Sequence, residues 1–166
     1  MNETLQRQHV IHEAKSWLRT PFAHRGKVKG AGVDCAVLAI AVYQACWLVP
    51  AAYEPPPYKM DWHLHHGHHW PSGQTYRGHE EHALEDCAEE VYLREVLKLA
   101  SPAGTPTPGC LALFQFGRAY AHGAIVLMWP LLVHASRIAR CVSLGDGERD
   151  GELLGRRPRF FTVWSE

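Results

Sequence analysis

The sequence predicts an α+β fold with an antiparallel sheet, because helical patterns fill its first part and short apolar runs fill its second. Apolar residues recur at helical spacing in 4–19 and 80–100, and an almost wholly apolar run follows Asp34. After residue 109 the pattern changes to short apolar and aromatic runs, which are typical of strands. Helices followed by successive strands are the order expected of an α+β domain.

Three helices are predicted from these patterns. The first covers 4–19, and Thr20–Pro21 would end it. The second begins after Asp34, a natural N-cap residue, and runs to about Leu48. Because this helix is apolar nearly all round, we expect it to be central and buried. The third covers 80–100.

The remaining regions are predicted as loops, a linker and five strands. Residues 22–33 form a glycine-containing loop, 51–79 a long irregular segment, and 101–109 a proline-rich linker. Five apolar runs are predicted as strands: CLALFQF (110–116), GAIVLMW (123–129), LLVHAS (131–136), ARCVSL (139–144) and RFFTVW (159–164).

The composition is that of a globular protein with one domain, which we place at 1–166. Hydrophobic residues make up 46% and charged residues 20% of the 166 residues, and the formal net charge is +0. No global field therefore favours nucleic acid or a membrane as a partner. The N-terminus lacks the apolar segment of a signal peptide, so we expect synthesis in a reducing cytoplasm. Five cysteines without a CxxC pair predict neither a disulfide framework nor a cysteine-based zinc site.

Cys35 is the candidate nucleophile. It lies in the first turn of the apolar helix, where unpaired N–H groups and the positive dipole end lower the pKa of a thiol. The alternative is that Cys35 is a small buried hydrophobe, as most buried cysteines are. A reactive thiolate also needs a partner that moves protons near neutral pH, and histidine suits this task best.

His122 and His134 are the candidate partners among the twelve histidines, because both lie inside otherwise apolar strands. If residues 128–130 make a three-residue turn, Ala124 opposes His134, and the two histidines become diagonal neighbours on one face. A two-residue turn would place them on opposite faces. The first register gives Cys35 as nucleophile, His122 as base and His134 as the residue that orients His122. The alternative for each histidine is a hydrogen-bonded structural role.

These residues resemble a known family. The motifs TPF (20–22) and GVDCAVL (32–38) look like the nucleophile region of the NlpC-type papain-like cell-wall cysteine peptidases. The stretches 107–127 and 131–136 are similar to the strand histidine and third polar residue of that family. Segment 53–65, YEPPPYKMDWHLH, further resembles the branch found in tailed phages and gene transfer agents.

The resemblance implies a papain-like fold in which a helix carrying Cys35 packs on a sheet carrying His122 and His134. It also implies cleavage of amide bonds in peptidoglycan stem peptides, typically beside a D-glutamyl residue, without a cofactor or metal. Tail proteins are the implied macromolecular partners, and a phage-like tail is the implied destination of the protein.

Four residues are predicted to contact substrate: Phe22, His24, Asp34 and Trp62. Phe22 replaces a tyrosine that many relatives carry, so a hydroxyl that could hold an oxyanion is missing unless His24 or another donor replaces it. Trp62 lies in the irregular segment, whose residues 53–79 we expect to fold back as one wall of the substrate groove.

Several features have competing interpretations. The histidine-rich stretch 63–69 could bind Zn²⁺ or Ni²⁺, although a solvated loop is favoured. The charged runs 80–90 and 145–152 are predicted to be solvated surface. Three tryptophans are predicted to lie in the core or a groove wall, and a local change of structure is expected where Cys110 replaces the family's aspartate. The tryptophans are Trp17, Trp47 and Trp129.

Three functions remain open from the sequence: a peptidoglycan endopeptidase, a tail-assembly protein in which catalysis is weak or lost, and a metal-binding module. The presence of Cys35, His122 and His134 favours the first function, and the absence of the tyrosine at position 22 gives weight to the second.

Overall fold

A computed structural model describes residues 2–58, 88–117 and 119–164 of the chain. Within these ranges it contains three helices and eight strands. The helices are α1 (Glu3–Ser16), α2 (Cys35–Ala45) and α3 (Ala88–Leu99), and the strands are β1 (Lys27–Val28), β2 (Gly32–Val33), β3 (Ser101–Ala103), β4 (Leu111–Phe116), β5 (Ala119–Met128), β6 (Leu131–Ser136), β7 (Cys141–Asp146) and β8 (Pro158–Thr162).

Six strands form one antiparallel sheet in the order β3-β8-β4-β5-β6-β7. The predicted α+β class with an antiparallel sheet is therefore confirmed. Two short elements were not expected. The predicted linker contains β3, which pairs with β8, and the predicted loop at 22–33 contains the hairpin of β1 and β2.

The first two helices begin within one residue of their predicted starts but end earlier than predicted. Asn2 caps α1, which ends at Ser16, and Arg19 then takes a left-handed φ of 70°. Asp34 caps α2, which ends at Ala45. The predicted third helix is described from residue 88 onward, and its earlier part lies outside the described residues, as does most of the irregular segment.

The three tryptophans of interest occupy different environments. Trp17 is buried in the core, and the ring of Trp129 packs edge-on against Phe160 at 4.9 Å between centroids. Trp47, however, is 89% exposed, so its predicted place in the core or a groove wall is wrong. It follows the end of α2 with a φ of 62°, and two residues later Val49 is buried in the first core again.

The sheet is buried on both faces. The first core lies between the helices and one face of the sheet, and its sheet residues include Leu113, Ile125 and Val133. The second core lies on alternate sheet positions, covered by the loop that precedes β8. Its buried members are Ala112, Phe114, Ala124, Val126, Leu132 and Leu153. None of the helices in the described ranges is long and apolar enough to cross a bilayer.

The β5–β6 hairpin has the predicted pairing of Ala124 with His134, but its turn is not the predicted one. Only Trp129 and Pro130 separate the two strands, so the turn has two residues and not three. A one-residue bulge between Val126 and Met128 compensates for the shorter turn, and Ala124 therefore lies opposite His134. A two-residue turn alone would place the two histidines on opposite faces of the sheet, and the bulge returns them to the same face.

Helix α2 lies directly over β5, and Gly123 permits this close approach. A Cβ atom on Gly123 would lie 2.5 Å from the Tyr92 hydroxyl and 3.1 Å from the backbone oxygen of Cys35. Tyr92 is itself buried. The absence of a side chain at Gly123 thus sets the distance between the start of α2 and the strand that carries His122.

We expect Gly123→Ala to lower the free energy of unfolding by about 1–3 kcal/mol, because the added methyl group must displace a backbone oxygen or a buried tyrosine. Gly104→Ala is the matched control, since nothing lies within 4 Å of its added Cβ, and we expect a change within about 0.5 kcal/mol. Urea titration of both variants measures the difference. Equal stability of the two variants would contradict the proposed packing.

Candidate active site

The carboxylate of Asp34 organises the N-terminus of α2. Its Oδ1 accepts hydrogen bonds from the backbone N–H groups of Ala36 at 3.2 Å and Val37 at 3.0 Å. Its Oδ2 accepts from the backbone N–H of Arg25 at 2.7 Å and from the Tyr58 hydroxyl at 2.6 Å. Asp34 is only 2% exposed. The structure therefore gives Asp34 a scaffolding role, while its direct contact with substrate stays a prediction.

Of the other predicted substrate residues, His24 lies beside the Asp34 carboxylate. The Nδ1 of His24 lies 3.4 Å from Asp34 Oδ2, and its ring packs edge-on against Tyr58. Phe22 packs against the first core, and its backbone N–H donates to the Arg140 oxygen. Trp62 lies outside the described residues. Tyr58 brings a phenolic hydroxyl to the Asp34 carboxylate.

Cys35 is the first residue of α2 and is only partly exposed. Its thiol donates to the backbone oxygen of Ala121 on β5, with 3.6 Å between sulfur and oxygen. Burial, and then the charge of Asp34, raise the pKa of the Cys35 thiol to about 12. The backbone N–H groups of Gly123 and of Cys35 itself lower the pKa of the thiol, but by less than burial and the Asp34 charge raise it.

The prediction that the helix start lowers the pKa of Cys35 is therefore wrong for this state of the protein. Two of the N–H groups at the start of α2, those of Ala36 and Val37, are already paired with Asp34. Removing a thiolate from water costs more free energy than the remaining N–H donors return. Cys35 is at rest a neutral thiol.

His122 and His134 form a buried pair. The Nε2 of His122 lies 2.9 Å from the Nδ1 of His134, and the two side chains are 3% and 0% exposed. The predicted contact between the two imidazoles is thus present. Burial holds the pKa of His122 well below its ordinary value, and the charge of its partner imidazole acts in the same direction. Burial also lowers the pKa of His134.

The structure brings Cys35 close to the strand of His122 but does not join the two side chains. Cys35 contacts the backbone of Ala121, whereas the His122 ring lies beside Phe114 and Phe116 in the second core. Among the contacts of the described residues, no hydrogen bond links the thiol to an imidazole. The nucleophile–base contact is therefore a prediction that still requires a rearrangement.

Part of the charged run at 145–152 belongs to this region and is not solvated as predicted. Glu152 is only 8% exposed, and its carboxylate accepts from the Ser136 hydroxyl at 2.6 Å and the Arg137 backbone N–H at 3.3 Å. Its negative charge acts on Cys35 and on His134, raising the pKa of each. Asp150 lies closer still, with Oδ2 3.9 Å from the Nε2 of His134.

Comparison with solved structures identifies the fold. The NlpC/p60 domain of the peptidoglycan hydrolase SagA superposes with a TM-score of 0.52 at 15% identity, covering 92% of this chain and 96% of that one. The chain has the NlpC/p60 papain-like fold. An NlpC/P60 family protein from Bacillus cereus ATCC 10987 superposes with a TM-score of 0.56 at 15% identity over 92% of this chain. The present chain spans 39% of that protein's length. No family model and no curated protein matches the sequence.

The described residues of this NlpC/p60 fold form no metal site. In the ranges 2–58, 88–117 and 119–164, no three His, Cys, Asp or Glu side chains lie in an arrangement that could hold an ion. The histidine tract at 63–69, predicted as a solvated loop with metal binding as the alternative, lies outside the described residues.

Cys110 lies in the turn where a local structural change was expected. Its side chain is fully buried, with Sγ 2.9 Å from the Thr107 hydroxyl oxygen and 3.6 Å from Nη1 of Arg7. Arg7 also donates to the backbone oxygen of Pro108 at 2.7 Å. The thiol therefore takes part in fixing a turn that is distant in sequence from Cys35.

Four residues near the site were missed by sequence reasoning. Tyr58 was included only as part of the segment 53–79, Tyr92 was not singled out, and Asp150 and Glu152 were assigned to solvated surface. Each is distant in sequence from Cys35, and only the packing of α2 on the sheet brings them to one place. A charged run that also contains glycine turns carries no periodic signal that could have separated Asp150 and Glu152 from their exposed neighbours.

We expect alkylation of Cys35 by iodoacetamide in the folded protein to accelerate about tenfold per pH unit from pH 7 to pH 10 without reaching a plateau. The reason is the pKa of about 12, since only the thiolate reacts. Peptide mass spectrometry measures the rate, and urea-unfolded protein is the control, because its thiol has an ordinary pKa near 8.5 and the rate should level off above it. A plateau below pH 8 in the folded protein would contradict the neutral resting thiol.

We expect the folded state to lose stability as the pH falls below about 6.5. The pKa values of His122 and His134 are depressed by folding, so the unfolded chain binds more protons below that pH and protonation favours unfolding. Each group contributes up to about 1.4 kcal/mol per pH unit in this window. Urea titrations from pH 8 to pH 5 should show a weaker pH dependence for the double variant His122→Gln, His134→Gln. An unchanged slope would contradict the neutral buried pair.

Proposed function

We propose that this protein is a cysteine peptidase that hydrolyses amide bonds in peptidoglycan stem peptides. The nucleophile is Cys35, the general base is His122, and His134 orients His122. The observation that carries the proposal is the buried His122–His134 pair, 2.9 Å apart, because His122 lies on the strand whose Ala121 oxygen contacts the Cys35 thiol. A histidine pair anchored on the strand next to a helix-start cysteine is suited to acyl transfer. Two NlpC/p60 structures of similar fold, one of them a peptidoglycan hydrolase domain, support the substrate class.

The hydrogen bond between the histidines determines which nitrogen acts as the base. Because Nε2 of His122 is engaged by Nδ1 of His134, Nδ1 of His122 is the nitrogen left to receive the thiol proton. The depressed pKa of His122 keeps this imidazole neutral at pH 7 and therefore able to accept a proton. Proton transfer from Cys35 to His122 creates the thiolate–imidazolium pair.

The thiolate then attacks the scissile carbonyl carbon and forms a tetrahedral oxyanion. The start of α2 lies beside this carbon, and its positive end favours the developing negative charge. His122 returns its proton to the leaving amine, and an acyl-enzyme on Cys35 remains. Water, deprotonated by His122, attacks the acyl carbonyl and releases the carboxylic acid and the thiol.

This cycle requires the Cys35 side chain to leave the Ala121 oxygen. The sulfur–oxygen contact of 3.6 Å is long, so giving it up costs little free energy compared with a shorter hydrogen bond. Substrate binding over the start of α2 is the event that would favour the thiolate and the new contact with His122. The resting arrangement is an uncharged state that limits reaction with other electrophiles.

The proposed stem-peptide site lies at the start of α2, where His24 and Tyr58 supply a ring wall and polar atoms. A cut beside a D-glutamyl residue, a groove wall formed by 53–79 and contact with Trp62 belong to this proposal and follow from the family resemblance. Association with tail proteins, and incorporation into a phage-like tail after cytoplasmic synthesis, rest on the resemblance of 53–65 alone.

The second candidate function is a tail-assembly protein that keeps the fold with weak or lost catalysis. The Cys35–Ala121 hydrogen bond favours it, because the thiol at rest is both neutral and directed at a backbone oxygen. Digestion of cell walls distinguishes the two functions.

We expect the purified protein to release soluble fragments from cell-wall sacculi, and Cys35→Ala to release none. Cys46→Ala is the matched control, since Cys46 lies at the other end of α2, and it should keep the wild-type rate. His122→Ala should lower turnover by about 10²–10⁴-fold through loss of the general base, whereas His134→Gln should keep measurable activity. Mass spectrometry of the fragments identifies the cleaved bond.

Activity should also survive EDTA, because a thiolate paired with histidine needs no Lewis acid. If EDTA abolished activity and Zn²⁺ restored it, the result would indicate that the histidine tract at 63–69 carries the catalysis. A wild-type protein that leaves sacculi intact would instead favour the tail-assembly role.

A further inference from the structure

The Nε2 atom of His134 is a buried polar atom without a hydrogen bond. The side chain is 0% exposed, and within the described part of the chain no group lies at hydrogen-bonding distance from Nε2. Its nearest charged neighbour is Asp150, whose Oδ2 lies at 3.9 Å. An orphan imidazole nitrogen in such a position is costly unless a charge nearby stabilises its proton.

Asp150 is held with this oxygen turned toward the imidazole. Its Oδ1 accepts from the backbone N–H of Glu152 at 3.0 Å, and its own backbone N–H donates to the Asp146 oxygen at 2.9 Å. The carboxylate is thus oriented by the turn, and Oδ2 is the oxygen near His134. Gly145 leaves the approach open, because a Cβ there would lie 2.8 Å from Nε2 and 3.2 Å from Oδ2.

The other charged groups around the pair do not replace Asp150. The carboxylate oxygens of Glu152 are bonded to the Ser136 hydroxyl and to the Arg137 backbone N–H. Arg137 and Arg156 act on His122 and oppose its protonation. Glu152 and then Asp150 act on His134 and favour a proton there, and Asp150 is the one whose carboxylate oxygen lies 3.9 Å from Nε2. The negative potential is therefore at the His134 end of the pair and the positive potential at the His122 end.

We propose that Asp150 is a positioning residue that sets the tautomers of both histidines, so that the catalytic unit runs from Cys35 through His122 and His134 to Asp150. This inference rests on the proposed function for its catalytic consequence, although the tautomers themselves do not depend on it. Asp150 acts through His134 and touches neither the nucleophile nor the substrate.

The tautomer of each histidine can be assigned by following the proton of one ring and then that of the other. The Asp150 carboxylate favours the proton of neutral His134 on Nε2, so Nδ1 of His134 is an acceptor. His122 must then carry its proton on Nε2 and donate it across the 2.9 Å contact. The Nδ1 of His122 is left without a proton and can accept the one from Cys35. The opposite tautomer of His134 would place a proton on Nδ1 of His122 and abolish the base.

Asp150→Asn is the decisive substitution. The amide oxygen would keep the hydrogen bond that Oδ1 accepts from the Glu152 N–H, so the NH₂ group would take the place of Oδ2 and face Nε2 of His134. A donor at that position selects the opposite tautomer of both histidines. Glu148→Gln is the matched control, because Glu148 is an exposed carboxylate of the same loop whose oxygen accepts from Trp129 at 3.0 Å.

The test has a structural and a kinetic readout. Nitrogen-15 NMR of histidine-labelled protein should show both His122 and His134 protonated on Nε2 in the wild type and in Glu148→Gln, and protonated on Nδ1 in Asp150→Asn. In sacculus digestion, Asp150→Asn should lower kcat by about 100-fold, as expected for loss of a general base, with little change in KM.

The outcomes separate this inference from the proposed function. A wild-type protein with the proton of His134 on Nδ1 overturns the inference, even if Asp150→Asn does not fold. So does an Asp150→Asn protein that keeps wild-type tautomers and kcat. If the tautomers change as expected but wild-type protein digests no cell wall, the role of Asp150 stands and the proposed peptidase activity fails.

Discussion

The four hydrogen bonds accepted by Asp34 are the interaction on which the site depends. One buried carboxylate joins the start of α2, the loop at Arg25 and the segment that ends at Tyr58. Without a charged acceptor the first turn of α2 would leave buried N–H donors unpaired, which costs about 1–3 kcal/mol for each group. The position of Cys35 is therefore a consequence of Asp34.

The same arrangement disfavours charged forms of the ionisable side chains in the resting site. Asp34 takes up N–H donors that could otherwise stabilise a thiolate, and burial acts against charge on Cys35, His122 and His134 alike. A proton transfer from thiol to imidazole creates two opposite charges at once, and these charges then stabilise each other in a medium of low dielectric constant. The site therefore stabilises a thiolate and an imidazolium together better than it stabilises either ion alone.

Much of the fold could be predicted because its signals are local. Helical spacing, the N-cap at Asp34 and the short apolar runs after residue 109 indicated the class, the main helices and the central strands, and these are confirmed. The errors have local causes as well. The β5–β6 turn is one residue shorter than expected, and a bulge at Leu127, which no sequence pattern marks, restores the pairing of Ala124 with His134. Trp47 is apolar and yet exposed, at the left-handed turn that follows the end of α2.

The sequence by itself determined which residues are available for chemistry and in what order: a cysteine at a helix start and two strand histidines whose spacing allows contact. Only the tertiary structure decided their electrostatics, because burial and neighbouring charge depend on segments that are distant along the chain. The neutral state of Cys35, the acceptor role of Asp34 toward Tyr58 and the approach of Asp150 to His134 all arise in this way. Composition and periodicity describe a residue's own element, whereas its pKa depends on what packs against that element.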